Sequence, residues 1–162
     1  GSFDRSTGAD WFAAGRISIR SNIDIPISSV NGIKLDSQEI SCITNGLQGI
    51  DGMKKIHSKY KIDYVLYTED QIIHLLERER RYWLKLPKID TSDSTGLGDI
   101  IVSSFACTIV KEKDSVWAFC FAAGALTAAL QTKEVGIKKI PSRSAIEENA
   151  SYYYNIMKYE IL

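Results

Sequence analysis

The 162-residue sequence has few of the features that mark several classes of protein. It contains three cysteines, Cys42, Cys107 and Cys120, and no Cys-x-x-Cys pair, which argues against a disulfide framework and a zinc knuckle. We therefore expect a reducing, cytoplasmic location. Lys and Arg total 20, as do Asp and Glu, so no net field attracts nucleic acid or an anionic membrane. No apolar run has the length of a membrane span and no signal-peptide pattern is visible, so we expect no membrane association.

The sequence does contain a mixture of strand-like and helix-like segments. Three short runs rich in Val, Ile, Leu and aromatic residues predict strands, the last two as a hairpin; they span 62–67, 71–76 and 81–86. Helical spacing predicts five helices, with nothing but helix after the hairpin; they span 36–44, 48–60, 98–111, 114–132 and 142–158. The predicted N-caps are Asp36, with Glu39 three residues later as in a capping box, Asp114 and Ser142. The length suits one domain, so we predict a single α/β domain over 1–162.

A glycine-containing turn precedes the third predicted helix, in the stretch Asp-Ser-Thr-Gly-Leu-Gly-Asp at 93–99. Gly96 and Gly98 allow backbone N–H groups to approach an anion closely, and the start of a helix adds unpaired donors and a favourable dipole. Asp99 lies at the same point, where a carboxylate stays ionised and can accept a proton from a nearby hydroxyl. Such spacing alone is more often an ordinary loop that ends in a helix cap.

Four segments in the same order resemble the ribokinase-like (PfkB) carbohydrate kinases. The stretch 93–105 is similar to the Asp-Thr-Thr-Gly-Ala-Gly-Asp-Ala-Phe signature of that family. Residues 33–40 (IKLDSQEI) resemble its strand and Asn-x-x-Glu segment, 63–68 (DYVLYT) its Val-Val-Val-Thr strand, and 121–148 its closing helices and glycine loop. The resemblance implies a ribokinase-like (Rossmann-like) layered α/β fold. It covers roughly 31–150, with 1–30 only weakly matched, and corresponds to the C-terminal, nucleotide-side half alone.

The resemblance also implies a function and a set of site residues. It implies transfer of the γ-phosphate of ATP, with Mg²⁺, to a hydroxyl of a sugar or nucleoside. Asp99 would be the catalytic base, and the backbone of Gly96, Leu97 and Gly98 would form the anion hole. The remaining implied positions are Glu39 and Asp36 for the metal, and Thr68, Asp93 and Gly136 for the nucleotide.

Two segments depart from the family pattern in charge. Asp36 replaces the family's Asn, which adds a negative charge near the expected phosphates that could recruit metal or could weaken ATP binding. After Thr68 the family has a Gly-x-x-Gly loop against the nucleotide phosphates, whereas here Glu69 and Asp70 follow in a shortened segment without glycine. Loss of a close backbone contact and added repulsion should lower the affinity for ATP by about one to a few kcal/mol.

These departures leave alternatives to an active kinase. The chain could be a catalytically impaired kinase-like module for binding or assembly, or a fragment that needs an N-terminal half. A sheet edge left uncovered makes a homo-oligomer, or pairing with a missing N-terminal segment, a further expectation. A simple α/β domain with a coincidental turn is the third interpretation.

Overall fold

The computed structural model of the protein describes residues 10–13, 16–18, 31–88, 96–132 and 141–162. The strands within these residues are β1 (Asp10–Ala13), β2 (Arg16–Ser18), β3 (Gly32–Asp36), β4 (Tyr64–Glu69), β5 (Ile72–Glu77), β6 (Arg80–Lys85) and β7 (Lys158–Ile161). The helices are α1 (Ser37–Thr44), α2 (Gly49–Tyr60), α3 (Leu97–Glu112), α4 (Ser115–Gln131) and α5 (Arg143–Ile156). The predicted α/β class is confirmed.

The described strands form one seven-stranded sheet in the order β2-β1-β3-β4-β5-β6-β7. β3 and β4 are parallel and are connected through α1 and α2, while the other neighbouring strands are antiparallel. A parallel pair needs such a helical crossover, whereas β4, β5 and β6 follow one another through tight turns. The predicted hairpin is therefore present, as β5 and β6.

The side chains of β4 alternate between two separate cores, as the pleat of a strand requires. Val65 and Tyr67 pack with α1 and α2, whereas Leu66 packs with α3, α4 and α5. The sheet is consequently the middle layer of three. We call its two sides the α1/α2 face and the α3 face.

Three helices begin at the capping residues that the sequence predicts. The Asp36 side chain accepts the Glu39 N–H at 2.8 Å, and the Asp114 side chain accepts the Trp117 N–H at 3.1 Å. At the start of α5, the hydroxyl of Ser142 accepts an N–H of the first turn. Each such cap stabilises a helix by about 1 kcal/mol.

Helix α4 is the buried centre of the α3 face, as its nearly continuous apolar sequence predicts. It approaches α5 so closely that a Cβ placed on Gly124 would lie 2.7 Å from the Ile146 carbonyl oxygen and 2.8 Å from the Ala150 nitrogen. A helix of this kind is short for a bilayer, and no helix in the described part of the chain meets the length and apolarity that a membrane span requires.

The expectation that only helices follow the hairpin is wrong. Helix α5 ends at Ile156, two residues before the predicted end, and Lys158–Ile161 form β7 beside β6. Alternation over four residues is too short to separate a strand from the end of a helix. The antiparallel pair of β1 and β2 also escaped prediction.

Candidate active site at the carboxyl edge of the sheet

Two predicted site residues lie side by side where the parallel strands end. Asp36, the last residue of β3, is paired in register with Thr68 of β4. Both positions alternate with residues of the α1/α2 core and therefore lie on the α3 face. The carboxyl ends of parallel strands are the usual ligand-binding edge of an open α/β sheet. We call this the carboxyl edge.

Asp36 and Glu39 form a reciprocal pair at the start of α1. The Asp36 side chain accepts the Glu39 N–H, and Oε1 of Glu39 accepts the Asp36 N–H at 3.2 Å. This capping box holds the Glu39 side chain at the carboxyl edge, where only 7% of the residue is exposed. The spacing of an acid three residues after a capping Asp predicted this arrangement.

Glu39 has an oxygen without a partner. Its Oε2 atom is buried and makes no hydrogen bond among the described residues. Burial, followed by the hydrogen bond and charge of the Asp36 side chain, raises the pKa of Glu39 from 4.5 to about 8. A buried polar atom left unsatisfied in this way costs about 1–3 kcal/mol. With a pKa of about 8 the carboxyl group is mostly protonated, and therefore neutral, at pH 7, and a cation bound at Oε2 would replace that proton.

The donor set at this place fits Mg²⁺. Carboxylate oxygens are hard ligands, and Mg²⁺ is commonly held by one or two carboxylates together with substrate phosphates. Asp36 and Glu39 supply that number. Among the residues that the structure describes, no cluster of three or more His, Cys, Asp or Glu side chains could form a complete protein cage for a metal.

Lys34 is a site residue that the sequence reasoning missed. It lies on β3 two residues before Asp36 and is only 8% exposed. Its charge acts on Glu39 in the direction that lowers the pKa of that carboxyl, against the larger effect of burial. A single lysine within an alternating strand pattern resembles an ordinary solvent-facing residue, so the sequence carried little signal for its burial.

The glycine turn begins α3 with backbone donors that have no partner within the helix. Gly96 has φ 82°, a left-handed conformation that favours glycine, and caps the helix without a side chain. The first helical hydrogen bond runs from the Ile100 N–H to the Gly96 carbonyl at 3.1 Å. The N–H groups of Leu97, Gly98 and Asp99 precede that bond and have no partner within the helix. This turn has the geometry of an anion site.

The direction of α3 brings that turn to the carboxyl edge. Halfway along the helix, the Phe105 ring lies 5.4 Å from the ring of Tyr64, the first residue of β4. Beyond the helix, the Ser115 hydroxyl donates to the carboxylate of Glu77, which is paired with Tyr64 across β4 and β5. The C-terminal end of α3 is therefore at the amino edge of β4. Eight residues of helix rise about 12 Å, which carries the N-terminal turn back to the carboxyl edge.

Asp99 is half-buried in the first turn of α3. The Ser103 hydroxyl donates a hydrogen bond to the backbone carbonyl of Asp99 at 2.7 Å, and not to its carboxylate. A carboxylate in the first turn is stabilised by the helix dipole. Of the remaining predicted residues, Asp93 and Gly136 lie outside the described residues.

The connection after Thr68 is as short as a hairpin allows. Glu69 is paired with Ile72, and the two residues between them, Asp70 and Gln71, have φ of 51° and 65°. Positive φ at both central positions defines a type I′ turn. The shortening expected from the sequence is confirmed, and no loop is present here.

Glu69 is held on the side of the sheet away from Thr68. The Tyr67 hydroxyl donates to its carboxylate, and Tyr67 belongs to the α1/α2 core. Burial, and then this hydrogen bond, raise the pKa of Tyr67 above its ordinary value. The charge of Glu69 is thereby directed to the α1/α2 face.

Two open cavities lie at the other end of the sheet, on either side of the turn between β5 and β6. They measure about 620 and 700 Å³ and share Glu77, Arg78 and Glu79 as lining residues. Neither is lined by a predicted site residue. The candidate site lies at the carboxyl edge and not in either of these cavities.

Comparison with solved structures assigns the fold to the ribokinase-like kinases. Arabidopsis thaliana ribokinase complexed with ribose and ATP matches with a TM-score of 0.63 and 21% identity over 76% of this chain and 42% of its own. Phosphofructokinase-2 from Escherichia coli, in complex with substrates and products, matches with a TM-score of 0.61 and 18% identity over 76% of this chain and 41% of its own. A pyrophosphate-dependent kinase of the ribokinase family, complexed with a pyrophosphate analog and myo-inositol, matches with a TM-score of 0.60 and 20% identity over 75% of this chain and 42% of its own.

The resemblance predicted from the four segments is confirmed at the level of the fold. The chain spans about two fifths of the length of these solved kinases, in agreement with a match to the C-terminal half. No protein-family model matches the chain, and no curated protein sequence does.

Proposed function

We propose that this chain is the phosphoryl-donor half of a ribokinase-like kinase. In this proposal it binds ATP with Mg²⁺ at the carboxyl edge, and the complete enzyme transfers the γ-phosphate to a hydroxyl of a sugar or nucleoside. The observation that carries the proposal is that the start of α3, with N–H groups that have no partner within the helix, lies at the same edge as the buried Glu39 carboxyl group, whose Oε2 is free, and the half-buried Asp36. An anion hole beside a base and a metal site is what phosphoryl transfer requires.

Each residue has a role in this proposal. The N–H groups of Leu97, Gly98 and Asp99 donate to the oxygens of the transferred phosphoryl group, where negative charge is stabilised without reorganisation. The Asp99 carboxylate accepts the proton of the attacking hydroxyl. Glu39 and Asp36 would hold Mg²⁺, which neutralises phosphate charge when bound. Lys34 supplies a second positive charge beneath that carboxyl pair.

Calorimetric titration of this chain with ATP, with and without Mg²⁺, tests the donor site. Gly96→Ala forces a Cβ into a left-handed conformation, a strain of about 1–2 kcal/mol that distorts the turn. Gly46→Ala is the matched control, because Gly46 has φ 108°, lies at the far end of α1 and, like Gly96, has open space around its Cβ position. We expect Mg²⁺-dependent ATP binding in the parent chain and Gly46→Ala, and its loss in Gly96→Ala.

Pyrophosphate separates anion binding from nucleotide recognition. It carries the charge of the phosphates but has no nucleoside, so it needs only the helix start and the metal. Equal loss of pyrophosphate and ATP binding in Gly96→Ala supports the turn as the anion site. Binding of both ligands that is unchanged in Gly96→Ala would rule it out.

The role of Asp99 needs a complete, active form of the enzyme. There, Asp99→Asn should lower turnover by about a hundredfold or more and leave ATP binding nearly unchanged, because removal of a general base affects the chemical step. Retained turnover would exclude Asp99 as the base.

A second candidate function is a kinase-like module that has lost nucleotide binding. The type I′ turn at Asp70–Gln71 favours it, because a two-residue turn leaves no glycine loop to approach the phosphates. Absence of ATP binding at about 5 mM, a concentration at which even a millimolar site is mostly filled, would support this function over the first.

A further inference from the structure

β7 is an edge strand with one partner in the described sheet. It pairs with β6 alone, and all four of its residues are exposed. Tyr159 is 61% and Ile161 is 68% exposed, an unusual amount for large apolar side chains in a strand. Such an edge is a template for another strand unless charge, proline or a bulge protects it. β7 has no proline.

The hydrogen-bond pattern shows which backbone groups of β7 face outward. The Leu162 N–H donates to the Glu79 carbonyl at 2.7 Å. In an antiparallel pair the residues alternate between bonding across the pair and facing away from it. Glu160 and Lys158 therefore bond to β6, whereas Tyr159 and Ile161 direct their N–H and C=O groups outward.

Two symmetric antiparallel registers, centred on the two middle residues of β7, could join this edge to the same edge of a second copy. In a register centred on Glu160, the glutamates of the two copies lie directly opposite each other, which is destabilising. In a register centred on Tyr159, Lys158 lies opposite Glu160 of the second copy, and the reverse pair forms by symmetry. Charge therefore selects the Tyr159 register.

The Tyr159 register also pairs the outward backbone groups and the apolar side chains of β7. Tyr159 lies opposite its own equivalent, so the two residues exchange both outward backbone bonds. Ile161 lies opposite Met157 of the second copy, and Met157 has an extended conformation with φ −60° and ψ 137° that continues the strand. One side of the pair is thus apolar, and the other carries two opposite-charge pairs.

We propose that β7 is a self-association surface, through which two copies of this chain join antiparallel at Tyr159 into one continuous sheet. The partner is a second copy because the charge order along β7 is complementary to itself in this register. Five residues of each chain, 157–161, form the contact. This is small beside the interfaces of about 1,200 Å² or more that make stable complexes, so we expect a weak dimer.

Sedimentation equilibrium of the 162-residue chain, up to about 0.5 mM, measures this association. Glu160→Lys places two lysines opposite each other at both ends of the pair, and Lys158→Glu does the same with glutamates. Each variant should raise the dimer dissociation constant at least about tenfold, since each cross-strand attraction of up to about 1 kcal/mol becomes a repulsion. Glu148→Lys, an exposed charge reversal on α5, is the control and should dimerise as the parent does.

An equimolar mixture of Glu160→Lys and Lys158→Glu tests the proposed register directly. In a mixed dimer every Lys lies opposite a Glu, so association should return when the two monomeric variants are combined. Circular dichroism of each variant checks that the fold is intact, because Glu160→Lys also removes the 2.8 Å ion pair with Arg81. A parent chain that stays monomeric, a dimer insensitive to both substitutions, or a mixture that fails to associate would each overturn the proposal.

Discussion

Glu39→Gln should change the way the stability of this protein depends on pH. Glu39 has a pKa of 4.5 in its ordinary state and about 8 in the fold. Between these values the folded state holds one proton more than the unfolded state, so the free energy of unfolding falls as the pH rises. Each pKa unit corresponds to about 1.4 kcal/mol. The shift therefore sets an upper limit of roughly 5 kcal/mol on the stability lost between pH 4.5 and 8.

Gln is the appropriate replacement because it keeps the shape and the capping contact. Its side-chain oxygen can still accept the Asp36 N–H that Oε1 of Glu39 accepts at 3.2 Å. It carries no charge at any pH, so the cost of ionising a buried carboxyl disappears. We expect Glu39→Gln to differ little from the parent at pH 5 and to be the more stable protein by several kcal/mol at pH 8.

Urea unfolding at half-unit intervals from pH 5 to 8.5, with a chelator present to remove divalent cations, measures this difference. Other titrating groups are shared by the two proteins and cancel. Glu148→Gln, at an exposed site on α5, is the control and should follow the parent at every pH. A difference between Glu39→Gln and the parent that stays constant within about 0.5 kcal/mol across the range would refute a buried, neutral Glu39.

Three further changes have expected outcomes. Burial, and then the charge of Arg81, lower the pKa of His74 to about 4, so the free energy of unfolding should decrease as the pH falls from 6.5 to 4. His74→Gln should remove roughly 1–2 kcal/mol of that decrease, because the partial exposure of His74 reduces the full effect. Urea unfolding over an acid pH series measures it. Gly124→Ala should destabilise the protein by about 1–3 kcal/mol in thermal unfolding, because the new methyl group meets the backbone of α5. Tyr153→Phe should cost about 1 kcal/mol in the same assay, since it removes the buried 2.6 Å hydrogen bond with Thr127; an unchanged midpoint in either case would contradict the packing described.

The parts of the fold that local signals specify were predictable from the sequence. The capping Asp36 with Glu39, the hairpin strands and the apolar α4 each depend on residues within a few positions of one another. The burial of Lys34 and the unpartnered oxygen of Glu39 depend instead on which elements cover β3, and no local pattern encodes that. β7 forms because β6 offers it an edge, which is a relation between residues about 80 positions apart.

The two-residue turn between β4 and β5 is a position where a loop can be inserted and its effect measured. The Glu69–Ile72 pair fixes the strand register on the sheet side of the turn, so residues inserted between Asp70 and Gln71 extend away from the sheet and leave both strands in place. Long insertions in such exposed turns cost little, because loop-closure entropy grows slowly with length. A short glycine-containing insert here would measure how much phosphate affinity such a loop contributes. Asp36, Glu39 and the start of α3 would be the same in the parent and in the insertion variant.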